Sequence, residues 1–373
     1  MLKTYRYRLF PTKSQVHVLE RQLELCRFVY NDALAYRKNA WEQEQRTVKR
    51  FETQNRLPQL KLAMPELKEV HSLVLQNVIL RVELAYKAFF RRVQSGEEPG
   101  YPRFKGRGRY DSITYTQSGF CVNSEKLQLS KIGDIKIKLH RPMEGKIKTC
   151  TIRRMPTGKW FACLSVEIDG APLPPWNEGS VVGIDVGLES FATLSNGEKI
   201  ANPRFFREEE RDLAKAQRKL SRAPKGSPER KKALKVVERI HERISNKRNN
   251  FAEHASHQLV DRFGTVCFED LNIKNMLKNH CLAKSISDVA WGMLVSKTES
   301  KAAYAGSKVV LVDPKQTSQM CSRCGMIVKK DLSDRIHHCL MCGLIIDRDL
   351  NAAINILRLG MQSLRKIDRS LAL

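Results

Sequence analysis

Apolar and polar side chains alternate from Leu2 to Phe10 in strand fashion, and the pattern stops at Pro11. From Ser14 the period changes. Val16, Leu19, Leu23, Cys26 and Tyr30 recur at three and four residues, which predicts an amphipathic helix. A second helical face runs through Leu73, Gln76, Leu80, Leu84 and Phe90, with Arg91 and Arg92 at its end. Pro and Gly then break helix between Ser95 and Gly108. Tyr110 to Ile168 is rich in Thr, Ile, Val and Tyr, with short runs KLQLS, DIKIKLH and FACLSVEI, and predicts a small barrel or open sheet. If Leu2–Phe10 joins that sheet, the first helical segment is an insertion within a β domain. The PLPPW stretch at 172–176 reads as an interdomain linker.

A different architecture begins at Ser180. Val181–Val186 is nearly continuously apolar, as a fully buried strand is. Phe191–Leu194 can return beside it, with a turn at Asn196-Gly197. Residues 207–250 are helical and basic, with 15 Lys and Arg against 7 Asp and Glu, and SRAPKGSP at 221–228 divides them into a hairpin. Leu234, Val237, Ile244, Phe251, Ala255 and Leu259 give its second arm a core-facing stripe. Thr265–Phe268 and Lys308–Val312 read as further buried strands, and Asn351–Leu359 as a closing helix. The expected fold class is α/β and β, in more than one domain.

Composition narrows the function classes. The 373 residues carry a formal net charge of +26, with 42% hydrophobic content, enough for real cores. No run of 18 apolar residues occurs and MLKTYRYRLFPT lacks an apolar signal core, so neither a membrane span nor secretion is expected. Such a charge points to a polyanion, most commonly nucleic acid. In a reducing compartment, paired cysteines hold metal more often than they form disulfides. Cys321, Cys324, Cys339 and Cys342 make C-x2-C-x14-C-x2-C, two knuckles that complete a tetrahedral four-thiolate zinc site. Gly325 and Gly343 follow the knuckles, where glycine eases the tight turn. That closed site is structural. Cys26, Cys121, Cys150, Cys163, Cys267 and Cys281 have no such spacing and read as small buried hydrophobes.

Three carboxylates end predicted elements. Asp185 closes Gly-Ile-Asp-Val-Gly, where Gly183 and Gly187 are expected to leave the backbone open to a ligand; Glu269 closes Thr-Val-Cys-Phe-Glu; Asp349 opens the last helix. Converging from two strand ends and a helix start, they can hold two divalent ions ~3.5–4 Å apart, an arrangement that cuts phosphodiesters. Mg2+ suits an all-oxygen site of this kind. Asp270 and Asp347 adjoin two of the three and are open alternatives, and an acid at a helix start also serves as a cap.

GIDVGLESFATLSNGE, FEDLNIKNM, the paired knuckles and DRDLNAAINIL occur here in the order found in transposon-encoded TnpB proteins, which the chain resembles. RFVYNDAL, GYPRFK, the basic hairpin and SISDVAWGML extend the resemblance over nearly the whole length. It implies an RNA-guided DNA endonuclease related to type V CRISPR effectors. The implied RuvC-like (RNase H-type) nuclease domain is 177–373, with a zinc ribbon inserted at 316–347 and an acidic triad on Asp185, Glu269 and Asp349. A β wedge domain is implied at 1–12 and 99–176, interrupted by a helical recognition lobe at 13–98. Gln76, and more loosely Thr116 and Gln117, match positions that read a short DNA motif beside the target; Arg103 and Lys105 of GYPRFK suit backbone phosphates.

The implied cofactors are two Mg2+ ions, one structural Zn2+ and a guide RNA. The implied partners are that RNA and double-stranded target DNA, without a membrane, with a separate tyrosine transposase encoded by the same element. The protein is expected to be a monomer with its RNA in a prokaryotic cytoplasm, nucleoid-associated when on DNA. The rival readings are a guide-dependent repressor that binds without cutting, a transposase that performs strand transfer itself, and a simple zinc-ribbon DNA binder. Intact acids disfavour the first of these.

Overall fold

A computed structural model describes residues 1–170, 177, 179–276, 278–279, 283–331 and 334–371. The chain divides into two compact units, Met1–Gly170 and Ala171–Leu373. The PLPPW stretch and Cys281 lie outside the described residues.

In the first unit β1 (Leu2–Phe10) is followed by the helices α1 (Lys13–Glu44), α2 (Arg50–Asn55), α3 (Leu57–Ala63) and α4 (Ser72–Gln94). Six strands follow: β2 (Ser112–Tyr115), β3 (Phe120–Asn123), β4 (Lys126–Leu129), β5 (Gly133–Lys138), β6 (Lys146–Arg154) and β7 (Trp160–Glu167). They form one sheet in the order β2-β6-β7-β1-β5-β4-β3. β1 therefore sits inside the sheet, antiparallel to β7 (Leu2 opposite Glu167, Leu9 opposite Trp160) and to β5. Its alternation explains the placement: Tyr5, Tyr7 and Leu9 are buried in the core of the unit, while Thr4, Arg6 and Phe10 are exposed. The helices are an insertion between strands of one sheet. α1 begins at a capping box in which Thr12 Oγ1 accepts from the Gln15 amide at 3.3 Å and Gln15 Oε1 from the Thr12 amide at 3.0 Å.

The stripe expected on α4 is not the one the fold buries. Val74, Leu75, Val78, Ile79, Val82 and Tyr86 face the core, while Leu84 and Phe90 are exposed. α4 is apolar around most of its circumference, so several stripes of helical period run through it. Packing against α1 and β2 selects the one rich in β-branched residues. The same competition leaves Leu234 exposed in the basic hairpin, where Ala233, Val237, Ile240 and Ile244 form the buried row.

The second unit opens with β8 (Val181–Val186), β9 (Ser190–Leu194) and β10 (Lys199–Ala201), then the hairpin α5 (Phe205–Arg222) and α6 (Pro228–Arg262). β11 (Thr265–Glu269), α7 (Ile273–Met276), α8 (Ala283–Val289), α9 (Trp291–Ala305) and β12 (Lys308–Val312) follow. The chain then forms β13 (Ile336–His338), β14 (Ile345–Asp347) and α10 (Arg348–Leu371). The main sheet runs β10-β9-β8-β11-β12, with β8, β11 and β12 parallel and β9 antiparallel to β8. Asn196-Gly197 turns β9 into β10, not β8 into β9; the latter turn falls at Gly187–Glu189. Ser227 caps α6 ahead of Pro228, and Arg230 Nη1 closes the hairpin by donating to the Leu220 and Ala223 carbonyls at 2.8 and 3.0 Å.

α10 lies against the sheet with almost no space between. A Cβ built on Gly183 would overlap the Ala353 carbonyl oxygen and the Leu357 amide, and one on Gly360 would overlap the Cys267 sulfur. Gly183 is thus buried beneath a helix backbone and is not open to a ligand, because the space a Cβ would take is filled by Ala353 and Leu357 of α10. Among the described residues no helix is long and apolar enough to cross a membrane. Gly183→Ala should cost about 1–3 kcal/mol by overpacking, read as a fall in thermal midpoint of the intact chain. Gly197→Ala, at a turn with φ +93° but open space around it, should cost less.

Candidate functional site

The parallel register places two of the predicted acids side by side. Phe268 of β11 pairs with Ile184 of β8, so Glu269 and Asp185 are the next residues on adjacent strands. α10, pressed onto β8 through Gly183, brings Asp349 in its first turn to the same end of the sheet. All three are partly exposed. Their mutual field is strong: the Asp185 pKa is raised well above the usual carboxylate value, first by burial, then by the Glu269 and Asp349 charges, with Arg348 opposing. Burial also raises Glu269, against a hydrogen bond donated by the Thr317 hydroxyl. A concentration of unbalanced negative charge among oxygen donors is what a divalent cation would neutralise. The donor set fits magnesium.

The neighbouring acids have other partners. Asp347 Oδ1 accepts from the Asp349 and Leu350 amides, both at 3.0 Å, and its Oδ2 accepts from Lys199 Nζ at 2.8 Å. Burial raises its pKa, but Lys199 and the helix amides outweigh that and leave it lowered. The cap of α10 is therefore Asp347. Asp349 instead receives Arg348 Nη2 at 3.1 Å and Nε at 3.2 Å. Asp270 is exposed, beyond the end of β11.

The four expected cysteines converge: their sulfurs all lie within 4.8 Å of one another. Cys321 and Cys342 are 3.6 Å apart and Cys324 and Cys339 3.5 Å. Tetrahedral zinc with Zn–S near 2.3 Å needs sulfurs about 3.8 Å apart, so the cage has the right size. Each knuckle closes the same way, with the Gly325 amide donating to Cys321 O at 2.9 Å and Gly343 to Cys339 O at 2.8 Å, both glycines at positive φ. Burial raises the Cys321 thiol, but the Cys324 and Arg323 amides aimed at it bring it down to about 6. The amides are arranged for thiolate. Of the other cysteines, Cys26, Cys150 and Cys267 are buried as expected, whereas Cys121 is exposed because it lies on the outer side of β3.

Sequence reasoning missed the residues that join these two centres. Asn351 and Asn355, one turn apart on α10, are fully buried. Asn351 accepts from the Ser322 amide at 2.9 Å and donates to Met320 O at 2.8 Å; Asn355 donates to Thr317 O at 2.9 Å and Met320 O at 2.6 Å. The helix that carries Asp349 thus holds the root of the first knuckle. The i, i+4 spacing of buried-type polar residues in DLNAAIN was the available signal.

In the first unit, Arg81 bonds to Ser112 O and Thr114 Oγ1 at 2.8 Å, and the His71 ring lies 5.7 Å from that of Tyr115. The stretch of α4 that carries half-buried Gln76 thereby runs along β2, from whose end Thr116 and exposed Gln117 continue. Lys105 is pinned to α1: its amide donates to Asn31 Oδ1 at 2.8 Å, its carbonyl accepts from Asn31 Nδ2 at 3.0 Å, and its ammonium lies 5.6 Å from the Tyr30 ring centre. Arg103 is exposed.

Three family models match the chain: one described as a probable transposase at residues 163–280, a Cas12f1-like TNB domain at 291–356, and a helix-turn-helix domain at 1–46. Residues 1–46 here are β1 and the single uninterrupted helix α1. A protein of Streptomyces pristinaespiralis named "Putative RNA-guided DNA endonuclease" is 39% identical over 366 residues, covering 96% of this chain and 89% of that one. InsQ of Escherichia coli K12, with the same description, is 30% identical over 380 residues, covering 96% and 92%. A solved Cas12f1–sgRNA–target DNA complex shares the fold at TM-score 0.59 and 16% identity, covering 92% of this chain and 83% of that one.

The carboxylate geometry sets a pH dependence. A carboxyl whose pKa is raised on folding favours the folded state at low pH, and that contribution is lost as pH rises through the raised value. In metal-free buffer, Asp185→Asn should therefore gain thermal stability over the wild type at neutral pH, by a few degrees if the relief is about 1–2 kcal/mol. The difference should shrink towards pH 4. Midpoints measured by differential scanning across that range decide it.

Proposed function

We infer that this chain, which belongs to the TnpB family of RNA-guided DNA endonucleases, cuts DNA paired to a guide RNA, with Asp185, Glu269 and Asp349 as the hydrolytic centre. The observation that carries the reading is the acid cluster at one end of β8, β11 and α10, where burial first and then the Glu269 and Asp349 charges hold Asp185 above its usual pKa. The sheet with α10 packed on it serves as a RuvC-like nuclease domain, with residues 316–347 as its zinc ribbon. Two Mg2+ ions bound there would supply Lewis acidity to an attacking water and to the leaving 3′ oxygen.

The chain's own groups prepare that chemistry. Thr317 orients the Glu269 carboxylate through its hydroxyl. Asp347 fixes the first turn of α10, so that Asp349 is presented from a rigid element. Arg348, bonded to Asp349, is positioned to meet a phosphate once that carboxylate turns to a cation. Cys321, Cys324, Cys339 and Cys342 hold the structural zinc, and through Asn351 and Asn355 keep the acidic end of α10 in place.

Sequence specificity comes from base pairing with the guide, and the protein reads only the shape of the heteroduplex and a short adjacent motif. Gln76, Thr116 and Gln117, on the α4–β2 face, are assigned to that motif, and Arg103 and Lys105 to backbone phosphates. Exposed cations on the hairpin, among them Lys215, Arg218, Lys231 and Lys235, suit the RNA.

Asp185→Ala should abolish cutting of a matched plasmid while leaving guide-dependent binding intact; cutting by the Ala variant would refute the assignment. Asn351→Ala leaves the Ser322 amide unsatisfied and should cost about 1–3 kcal/mol. Hydrogen exchange should show that loss concentrated in the ribbon, accompanied by a lower cleavage rate at unchanged guide binding.

A further inference from the structure

We propose that Arg204, Arg207 and Arg335 form a phosphate-binding subsite that holds the DNA strand beside the cut; the proposal rests on the endonuclease reading. All three line one cavity of about 530 Å³, with Leu188, Glu189 and Asn202 in its wall. The cavity adjoins the carboxylates through the chain itself. Leu188 follows Asp185 by three residues, a span of at most roughly 10 Å. Arg335 O accepts from the Arg348 amide at 2.8 Å, which places the arginine's backbone beside the first turn of α10. A phosphate in the cavity therefore lies within a few nucleotides of the bond that is cut.

The charges do not cancel. Asp288 is committed to Arg248 at 2.7 Å and to the Phe206 amide at 2.9 Å, and Glu189 to Arg335 at 3.1 Å. Arg204 and Arg207 are exposed, and neither side chain has an ion-pair or hydrogen-bond partner among the described residues. Two uncommitted guanidiniums and a third held only by an exposed glutamate leave the cavity net positive. The planar fork of arginine matches phosphate oxygens in pairs.

The wall is also fixed in shape. Asn202 Nδ2 donates to Leu188 O at 2.7 Å, and Asn202 Oδ1 accepts from the Arg204 amide at 3.1 Å. Arg204 itself is held at φ +50°, a left-handed conformation unfavourable for a residue with a Cβ. A left-handed arginine that lines a cavity without a partner among the described residues points to a ligand outside the chain. These are positioning residues: they touch the strand and not the reacting atoms.

The test uses the full chain with its guide RNA and a DNA series carrying one neutral methylphosphonate at successive positions around the cut. Wild type should lose roughly tenfold in rate at one or two flanking positions, the loss expected of one charged hydrogen-bonded contact. Arg204→Gly, which suits the left-handed backbone, combined with Arg207→Ala, should cut native DNA about tenfold more slowly through a weaker KM. It should show no further loss at those same positions, and its guide binding should be unchanged. Arg207→Lys, which keeps the charge without the fork, should fall between. Equal methylphosphonate sensitivity in wild type and variant overturns the subsite, as does sensitivity that appears only with substitutions in the guide. A wild type that fails to cut matched DNA overturns the endonuclease reading, and the subsite with it.

Discussion

The backbone contact between α10 and β8 is the constraint on which the second unit depends. Gly183 and Gly360 let the helix lie against β8 and β11 closer than any side chain would permit. At ordinary helix–sheet spacing the first turn of α10 would stand away from the strand ends, and Asp349 would not share a field with Asp185. The glycine in the Gly-Ile-Asp motif thus sets the height of a helix more than a hundred and fifty residues away in sequence.

Bringing three acids together is unfavourable unless something holds them, and the fold does so from several sides. Asp347 takes the cap and its charge is met by Lys199, so the helix start is stabilised without using Asp349. Thr317 meets Glu269, and the carbonyls around it are bonded to Asn355. The cysteine knuckles are thereby part of the acidic centre's scaffold, since the ribbon root and α10 share buried amide hydrogen bonds. The cost of gathering the acids shows in Asp185, whose pKa is raised by burial first and then by the Glu269 and Asp349 charges.

The first unit solves a different problem. Its opening strand pairs in the interior of a sheet whose other strands arrive after a long helical insertion, so the domain closes only when distant segments meet. The alternation Tyr5, Tyr7, Leu9 fixes the register, because a one-residue slip would bury Arg6 and Arg8. Asn31 of α1 then pins the connector at Lys105, tying the helical insertion to the chain that leads back to the sheet.

Much was legible in the sequence because the signals were local. Strand and helix periods, the SRAPKGSP break in the hairpin and the knuckle spacing each depend on residues close along the chain, and the bounds of Leu2–Phe10 and Val181–Val186 follow from them. Which stripe of an all-round apolar helix is buried was not local: α4 turned Leu84 and Phe90 outward because α1 and β2 claimed another face. Nor could sequence say which of Asp347 and Asp349 caps the helix, since both are acceptors at its start. That depended on where Lys199 lies. Gly183 looked like an opening for a ligand and is a seat for a helix, because free space around a glycine is a property of what packs there. The sequence by itself determined which chemistries were present, four paired cysteines and a set of acids. The tertiary structure decided which acids meet, which are neutralised, and which arginines have no partner among the described residues, because charges interact through space and not along the chain.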